Sequence, residues 1–207
     1  MRLPRAPRTR RLRSRGGRAG ARAPVVGPAG GGAADGAALT DTGVVGPDGC
    51  VFVTGPDGVR KVTGEDIDMV GLGGPEPHGR KSGVAHVTAP SDHEAMDVTR
   101  RLVELMARPR IACPAAESDP LIEAILPENP RVAYDVRPIV YRLLDAPPVE
   151  LSPRRAPNVV TAIGRIEGRT VGVVANNPVA PEGGHDSEHA ETAAAFGLFA
   201  KRERLPH

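Results

Sequence analysis

With 207 residues, the chain is long enough for one large domain or two small ones with a buried core. Hydrophobic residues make up 40% of it and aromatic residues only 2%, and its two cysteines form no CxxC pair, which excludes a zinc ribbon. The net charge is +2, but residues 1–24 hold nine Arg and no acid, so the remainder has 18 basic and 25 acidic residues and a charge of −7. Such a remainder is typical of an ordinary acidic domain and argues against nucleic-acid binding.

Residues 1–24 consist mainly of Arg, Ala, Gly, Pro and Ser, and they predict a disordered leader because few apolar side chains are available for burial. Three sharper interpretations compete with this one. The segment resembles a transit peptide, although Pro and Gly interrupt any amphipathic helix, and Arg10-Arg11 resembles a twin-arginine signal that lacks its apolar region. A nucleic-acid-binding arm is the third interpretation, on charge alone.

A strand at Val25-Val26, a glycine-rich turn and an Ala-rich helix over 34–39 are predicted next. A helix start exposes unpaired N–H groups, and Gly31 and Gly32 would let a carbonyl oxygen approach them. This is the geometry of an oxyanion hole. The alternative is a tight turn without a ligand.

Short strands are predicted at 44–45 and 50–54, with a turn at 55–58 and a helix capped by Thr63 or Gly64 that runs to Val70. Residues 71–86 predict a polar, glycine-rich loop with donors suited to an anionic or carbonyl-bearing ligand, and a strand follows over 84–88. The candidate ligand-binding residues of this loop are Gly73, Gly74, His78, Ser82, Gly83 and His86.

Ser91 and Glu94 form a capping box, so a helix is predicted from there to about Arg108. Further helices are predicted over 121–126, from Tyr134 to about Asp145, and from a Ser187 cap to Phe199. Residues 158–166 and 170–176 predict a β-hairpin. His93, His185 and His189 are expected to be solvated, since no third ligand accompanies the last two.

Several of these segments together resemble a known family. The pattern Gly-Gly-x3-His-x3-Ser-Gly-Val-x-His at 73–86 is similar to the signature loop of the carboxyltransferase subunits of biotin-dependent acyl-CoA carboxylases, propionyl-CoA carboxylase beta chain type. Gly-Pro-x-x-Gly-Gly-Ala at 27–33, Tyr-Asp at 134–135 and the run from 164 to 178 resemble further landmarks of that family, in the same order. The resemblance covers roughly 25–207.

This resemblance implies an α/β fold of the crotonase-like type, a ββα superhelix, with parts of two consecutive domains. Residues 1–24 would be the leader, 25–133 the C-terminal part of the acyl-CoA domain, and 134–207 the linking helix and the start of the biotin domain. Gly31 and Gly32 would be catalytic, as one oxyanion hole, and residues 73–86 would lie by the ligand cleft. No metal site is expected.

The implied activity is transfer of a carboxyl group from carboxybiotin to the α-carbon of an acyl-CoA of the propionyl or acetyl class, in the cytoplasm. Biotin would be carried on a partner, the biotin carboxylase or biotin carrier subunit, and the family forms homo-oligomers. Compared with the family, the chain reads as a fragment from the middle of a subunit, so whether it is an enzyme stays open. The alternative is a non-catalytic remnant that binds partners, or nucleic acid through its basic leader.

Overall fold

The computed structural model describes residues 21–107, 119, 121–129, 131–179, 186–203 and 205. The chain divides into two compact units, described by residues 21–99 and 100–205, and the division falls inside one helix. The domain boundary predicted at 133/134 stays a prediction. Residues 22–24 were assigned to the leader but lie in the first strand, so the leader boundary at residue 24 is too late. Predictions for residues 1–20 and for His185 lie outside the described residues.

Five short strands form two parallel sheets in the first unit. One sheet has the order β1–β3–β5 and the other pairs β2 with β4. The strands are β1 (Arg22–Val25), β2 (Pro28–Gly30), β3 (Thr42–Val45), β4 (Cys50–Phe52) and β5 (Val87–Thr88). The core beside them is built from small and β-branched side chains, Val25, Ala34, Val45, Val51 and Ala85, as the lack of aromatic residues predicts. β5 is shorter than the predicted strand.

The helices of the first unit are α1 (Gly32–Ala38), α2 (Pro56–Thr63), α3 (Met69–Gly73) and α4 (Pro75–Pro77), followed by a π-helical turn (His78–Ser82). The predicted turn at 55–58 is in fact the start of α2, since Pro56 fits the first helical position, where no N–H partner is needed. Gly64 ends α2 in the left-handed conformation with φ 74°. The prediction that it begins a helix is therefore wrong, and Asp68 caps α3 instead.

Helix α5 (Asp92–Ala107) begins as the capping box predicts, because the Glu94 N–H donates to Ser91 Oγ at 3.2 Å. The unit boundary at 99/100 lies within this helix. Its buried residues Leu102 and Leu105 fall on one face, three residues apart.

In the second unit, an antiparallel sheet has the order β6–β7–β8, formed by β6 (Val149–Leu151), β7 (Val159–Ile166) and β8 (Arg169–Asn176). The predicted hairpin is confirmed, with Val159 facing Asn176 and Ile166 facing Arg169. Its two turn residues, Glu167 and Gly168, both have positive φ, as a type I′ turn requires. Both of their N–H groups donate to the Asp145 carboxylate, at 2.9 and 2.8 Å.

The helices of this unit are α6 (Leu121–Ile125), α7 (Arg137–Leu143) and α8 (Asp186–Arg202). α7 is shorter at both ends than predicted, and α8 begins one residue before its predicted Ser187 cap. His189 is buried, and its Nδ1 lies 2.6 Å from Asn158 Nδ2, so the expectation of a solvated histidine is wrong. None of the helices in the described ranges is both long and apolar enough to cross a membrane.

Candidate functional site

The turn between β2 and α1 places the two predicted catalytic glycines in different roles. Gly31 has φ 57° and ψ −126°, a backbone conformation that only glycine adopts readily. Its N–H donates to the Phe52 carbonyl at 3.2 Å, so this amide is used to join the turn to β4. Gly31 is therefore not a free donor in this structure.

Gly32 is the first residue of α1, where N–H groups lack partners inside the helix. Within the described part of the chain, the N–H groups of Gly32 and Ala33 have no hydrogen-bond partner. A Cβ added to Gly32 meets nothing within 4 Å, so this position is open. The donor pair that the geometry leaves available is thus shifted by one residue, from Gly31 and Gly32 to Gly32 and Ala33.

An open groove of about 340 Å³ runs beside this helix start, and we call it the α1 groove. None of its lining residues carries a charge, and two of them, Ala33 and Ala37, belong to α1. The lining is completed by Ala23, Pro24, Val25, Val26, Gly27, Pro28 and Ala29. A groove without charged side chains suits an uncharged part of a ligand.

The 71–86 segment is mainly helical, so the prediction of a polar loop is wrong. Its glycines are explained by packing: a Cβ at Gly73 would overlap the Val51 carbonyl oxygen, and one at Gly74 would lie 2.5 Å from that of Val70. Gly83 ends the π-helical turn with φ 72°. These three glycines have structural reasons to be present that do not depend on a ligand.

His78 joins this segment to β4. Its Nε2 lies 2.6 Å from the Val51 carbonyl oxygen and its Nδ1 lies 2.6 Å from Ser82 Oγ. Because a carbonyl only accepts, Nε2 must carry the proton, and in the neutral ring Nδ1 then accepts from the Ser82 hydroxyl. Both nitrogens of the His78 ring are engaged inside the protein.

His86 directly precedes β5, a strand of the other sheet. The Gly43 N–H, in β3, donates to His86 Nδ1 at 3.1 Å, which ties the start of β5 to the sheet. Burial lowers the pKa of His86, and this outweighs the opposing effects of the Val84 backbone and Asp41. The neutral ring is the form that can accept the Gly43 hydrogen bond.

The structure therefore brings Gly31, Gly73 and His78 to one short strand, β4, with Ser82 linked to it through His78, and leaves His86 elsewhere. Sequence reasoning missed the role of Val51 and Phe52, whose carbonyls accept from His78 and Gly31. No local signal identifies them, because the contacts use backbone atoms. In the described ranges no three metal-ligating side chains come together.

Comparison with known proteins defines the class of this chain. Residues 23–207 match the family described as the carboxyl transferase domain, and the chain belongs to that family. It is 53% identical over 178 residues to the biotin-dependent acetyl-/propionyl-coenzyme A carboxylase beta6 subunit of Mycobacterium tuberculosis (strain ATCC 25618 / H37Rv), covering 83% of this chain and 37% of that protein. It is 49% identical over 181 residues to the propionyl-CoA carboxylase beta chain of Rhodococcus erythropolis, with the same coverage of 83% and 37%. The chain thus spans well under half the length of these relatives.

Solved structures agree with this assignment. The transcarboxylase 12S hexamer, crystallised with methylmalonyl-coenzyme A and methylmalonic acid, superposes with a TM-score of 0.83 at 31% identity, over 92% of this chain and 39% of that one. A single-chain, multi-domain long-chain acyl-CoA carboxylase gives 0.84 at 25% identity, over 95% and 20%. The α/β, crotonase-like fold is confirmed, and the chain covers a part of it.

Proposed function

We propose that the chain is the carboxyltransferase component of a biotin-dependent acyl-CoA carboxylase. It would transfer a carboxyl group to the α-carbon of an acyl-CoA of the propionyl or acetyl class. The observation that carries the proposal is the free donor pair, Gly32 and Ala33, in a chain of this family, with Ala33 also lining an uncharged groove. Relatives named as acetyl- and propionyl-CoA carboxylase subunits, at 53% and 49% identity, support the substrate class.

The chemistry requires removal of a proton from the α-carbon of the thioester, which leaves negative charge on the carbonyl oxygen. N–H groups that are already oriented stabilise such charge without reorganising. In our proposal the Gly32 and Ala33 amides hold this oxygen, and Gly31 shapes the turn that aims them. The α1 groove takes the uncharged part of the ligand beside the thioester.

Carboxybiotin would supply the carboxyl group as the second substrate, carried on a biotin carboxylase or biotin carrier partner. We assign no residue of this chain to it. A homo-oligomeric assembly and a cytoplasmic location belong to the same proposal. The hexamer named for transcarboxylase 12S supports the assembly.

Gly32 allows a matched test. Gly32→Pro removes the N–H at the first helical position, where proline is well tolerated, whereas Gly32→Ala keeps the N–H and adds a methyl group in open space. Both variants are assayed for carboxylation of propionyl-CoA with bicarbonate, ATP and a biotin carboxylase–carrier partner. We expect Gly32→Ala to retain turnover and Gly32→Pro to lose about 10²–10³ in rate at a similar melting temperature.

Two outcomes count against the proposal. Full turnover in a folded Gly32→Pro protein would show that this amide is not an oxyanion donor. No turnover in the unmodified chain with its partner present would favour the alternative, a non-catalytic relative of such subunits.

A further inference from the structure

We infer that His78 is a positioning residue that holds the Gly31–Gly32 turn in place through strand β4, and not a ligand-binding residue. The positioning role rests on hydrogen bonds of this structure. Only its consequence for turnover rests on the function proposed above.

The inference starts from the two edges of β4. Carbonyl groups of successive residues in a strand point to opposite edges. On one edge, Phe52 accepts from the Gly31 N–H at 3.2 Å, beside the parallel pairing of β2 with β4. On the other edge no described strand pairs with β4, and the Val51 carbonyl accepts from His78 Nε2 at 2.6 Å. The imidazole N–H thus donates to a carbonyl that would otherwise accept from the N–H of a neighbouring strand.

The ring is itself held from the other side. Ser82 stands one turn after His78 in the π-helical turn, its hydroxyl donates to Nδ1 at 2.6 Å, and the Val84 N–H donates to Ser82 Oγ at 3.3 Å. The Val51 carbonyl requires the proton on Nε2, and in the neutral ring the Ser82 hydroxyl then donates to Nδ1, which fixes the orientation of the ring. A histidine held at both nitrogens has no atom left for a ligand.

The contact between His78 and β4 lies close to the Gly31–Gly32 turn. Gly73 lies against the same Val51 carbonyl, so the segment approaches β4 closely where His78 binds it. β4 is only three residues long and adjoins Gly31 through Phe52. A shift of Val51 is therefore passed directly to the acceptor of the Gly31 amide. Gly43 lies in the other sheet, where His86 accepts its N–H, and neither residue contacts β4 through these bonds.

Three variants separate positioning from general stability. His78→Gln places an amide nitrogen at nearly the same distance from the backbone as Nε2 and can donate to Val51, whereas His78→Phe keeps the ring shape and removes both nitrogens. Ser82→Ala removes the donor to Nδ1 and the acceptor of the Val84 N–H, and it leaves the His78 contact with Val51 in place. Amide exchange of Gly31 is measured by NMR in each full-length protein, with Gly43 as the internal reference in the second sheet.

We expect about tenfold faster exchange at Gly31 in His78→Phe, the change that follows from losing one hydrogen bond. Gly43 should stay near its original rate, His78→Gln should restore most of the protection at Gly31, and Ser82→Ala should have a smaller effect. Ring ¹⁵N shifts of the unmodified protein should report the proton on Nε2. In the carboxylation assay, His78→Phe should lower kcat more than it raises KM, and His78→Gln should recover kcat.

Several results would contradict the positioning role of His78. Equal acceleration at Gly31 and Gly43 would mean that His78 serves overall stability only, and a neutral ring with its proton on Nδ1 would contradict the hydrogen bond to Val51. Equal behaviour of His78→Gln and His78→Phe would also overturn the inference. If the unmodified chain has no carboxylation activity, the proposed function fails, while the exchange rates and ring shifts still test the positioning role.

Discussion

The contacts inside the first compact unit differ in kind from those inside the second. In residues 21–99, parallel strands of two to four residues are joined by backbone atoms that approach each other where glycine leaves room, as at Gly73 and Gly49. In residues 100–205, an antiparallel hairpin of two eight-residue strands is supported by charged side chains, above all Arg137 with Glu150 and Asp145 with the hairpin turn.

This difference shows where each unit tolerates change. A contact between backbone atoms has no side chain that can rotate away, so an added methyl group forces the main chain to move. A contact between charged side chains can be replaced by apolar side chains of similar size. The unpaired amides and the groove lie in the first unit, where backbone atoms make these close contacts.

The largest expected effect is at Gly73. A Cβ there would overlap the Val51 carbonyl oxygen, so we expect Gly73→Ala to lower the free energy of unfolding by about 3 kcal/mol or more. Gly36 is the matched control, because it also lies in a helix, α1, and a Cβ there meets nothing within 4 Å. Gly36→Ala should stabilise the protein by up to about 1 kcal/mol. Urea unfolding of both variants measures this, and similar values for the two would show that the close contact of Gly73 with the Val51 carbonyl does not limit what the first unit tolerates.

A moderate effect is expected at Arg137. Its guanidinium donates through Nε and Nη2 to Glu150, at 3.1 and 2.9 Å, and the two side chains are 24% and 13% exposed. Arg137→Met leaves a mostly buried carboxylate without this partner, and we expect a loss of about 2 kcal/mol, between the values for surface and buried pairs.

The double variant sharpens this second prediction. Arg137→Met with Glu150→Leu removes both charges, so we expect it to recover most of the lost stability in the same urea measurement. If the double variant is as unstable as the single one, the second unit depends on this ion pair and not on the packing around it. The two units would then be equally intolerant of change.

The features that were predicted correctly from sequence depend on neighbours along the chain. The Ser91 cap and the 158–176 hairpin each follow from residues within a few positions of one another. The acceptor of His78 lies 27 residues away, and it is a main-chain oxygen with no sequence signature. For this reason the sequence predicts His78 as a ligand-binding residue, and it holds no signal for the positioning role that we propose.

Glycine caused the other errors. Gly64 and Gly31 both have positive φ, yet one ends a helix and the other precedes one. The sequence shows that a glycine permits a change of chain direction. Only the structure shows whether a helix ends or begins there. The family relationship identified the Gly31–Gly32 pair, but only the geometry showed that Phe52 already occupies the first of the two amides.

The smallest expected effect is a pH dependence that originates in the first unit. Burial lowers the pKa of His86 in the folded chain, so the folded state favours the neutral ring. Below about 6.5, the ordinary value for histidine, the unfolded chain therefore binds more protons than the folded chain. Stability from this residue is fully present above that pH and is lost as the pH falls towards the lowered pKa. The slope cannot exceed about 1.4 kcal/mol per pH unit for one proton.

His86→Asn isolates this contribution. Asparagine can place an acceptor oxygen near the position of Nδ1, so it can still accept the Gly43 N–H, but it does not titrate. We expect the unmodified protein to lose more stability than His86→Asn between pH 7.5 and 5.5 in urea unfolding, and the difference between the two to stop changing once the pH is below the lowered pKa. The other histidines are present in both proteins, so their titration cancels in the difference. Parallel curves over this range would mean that the folded chain binds the proton as readily as the unfolded chain, and that the Gly43 hydrogen bond does not constrain the ring.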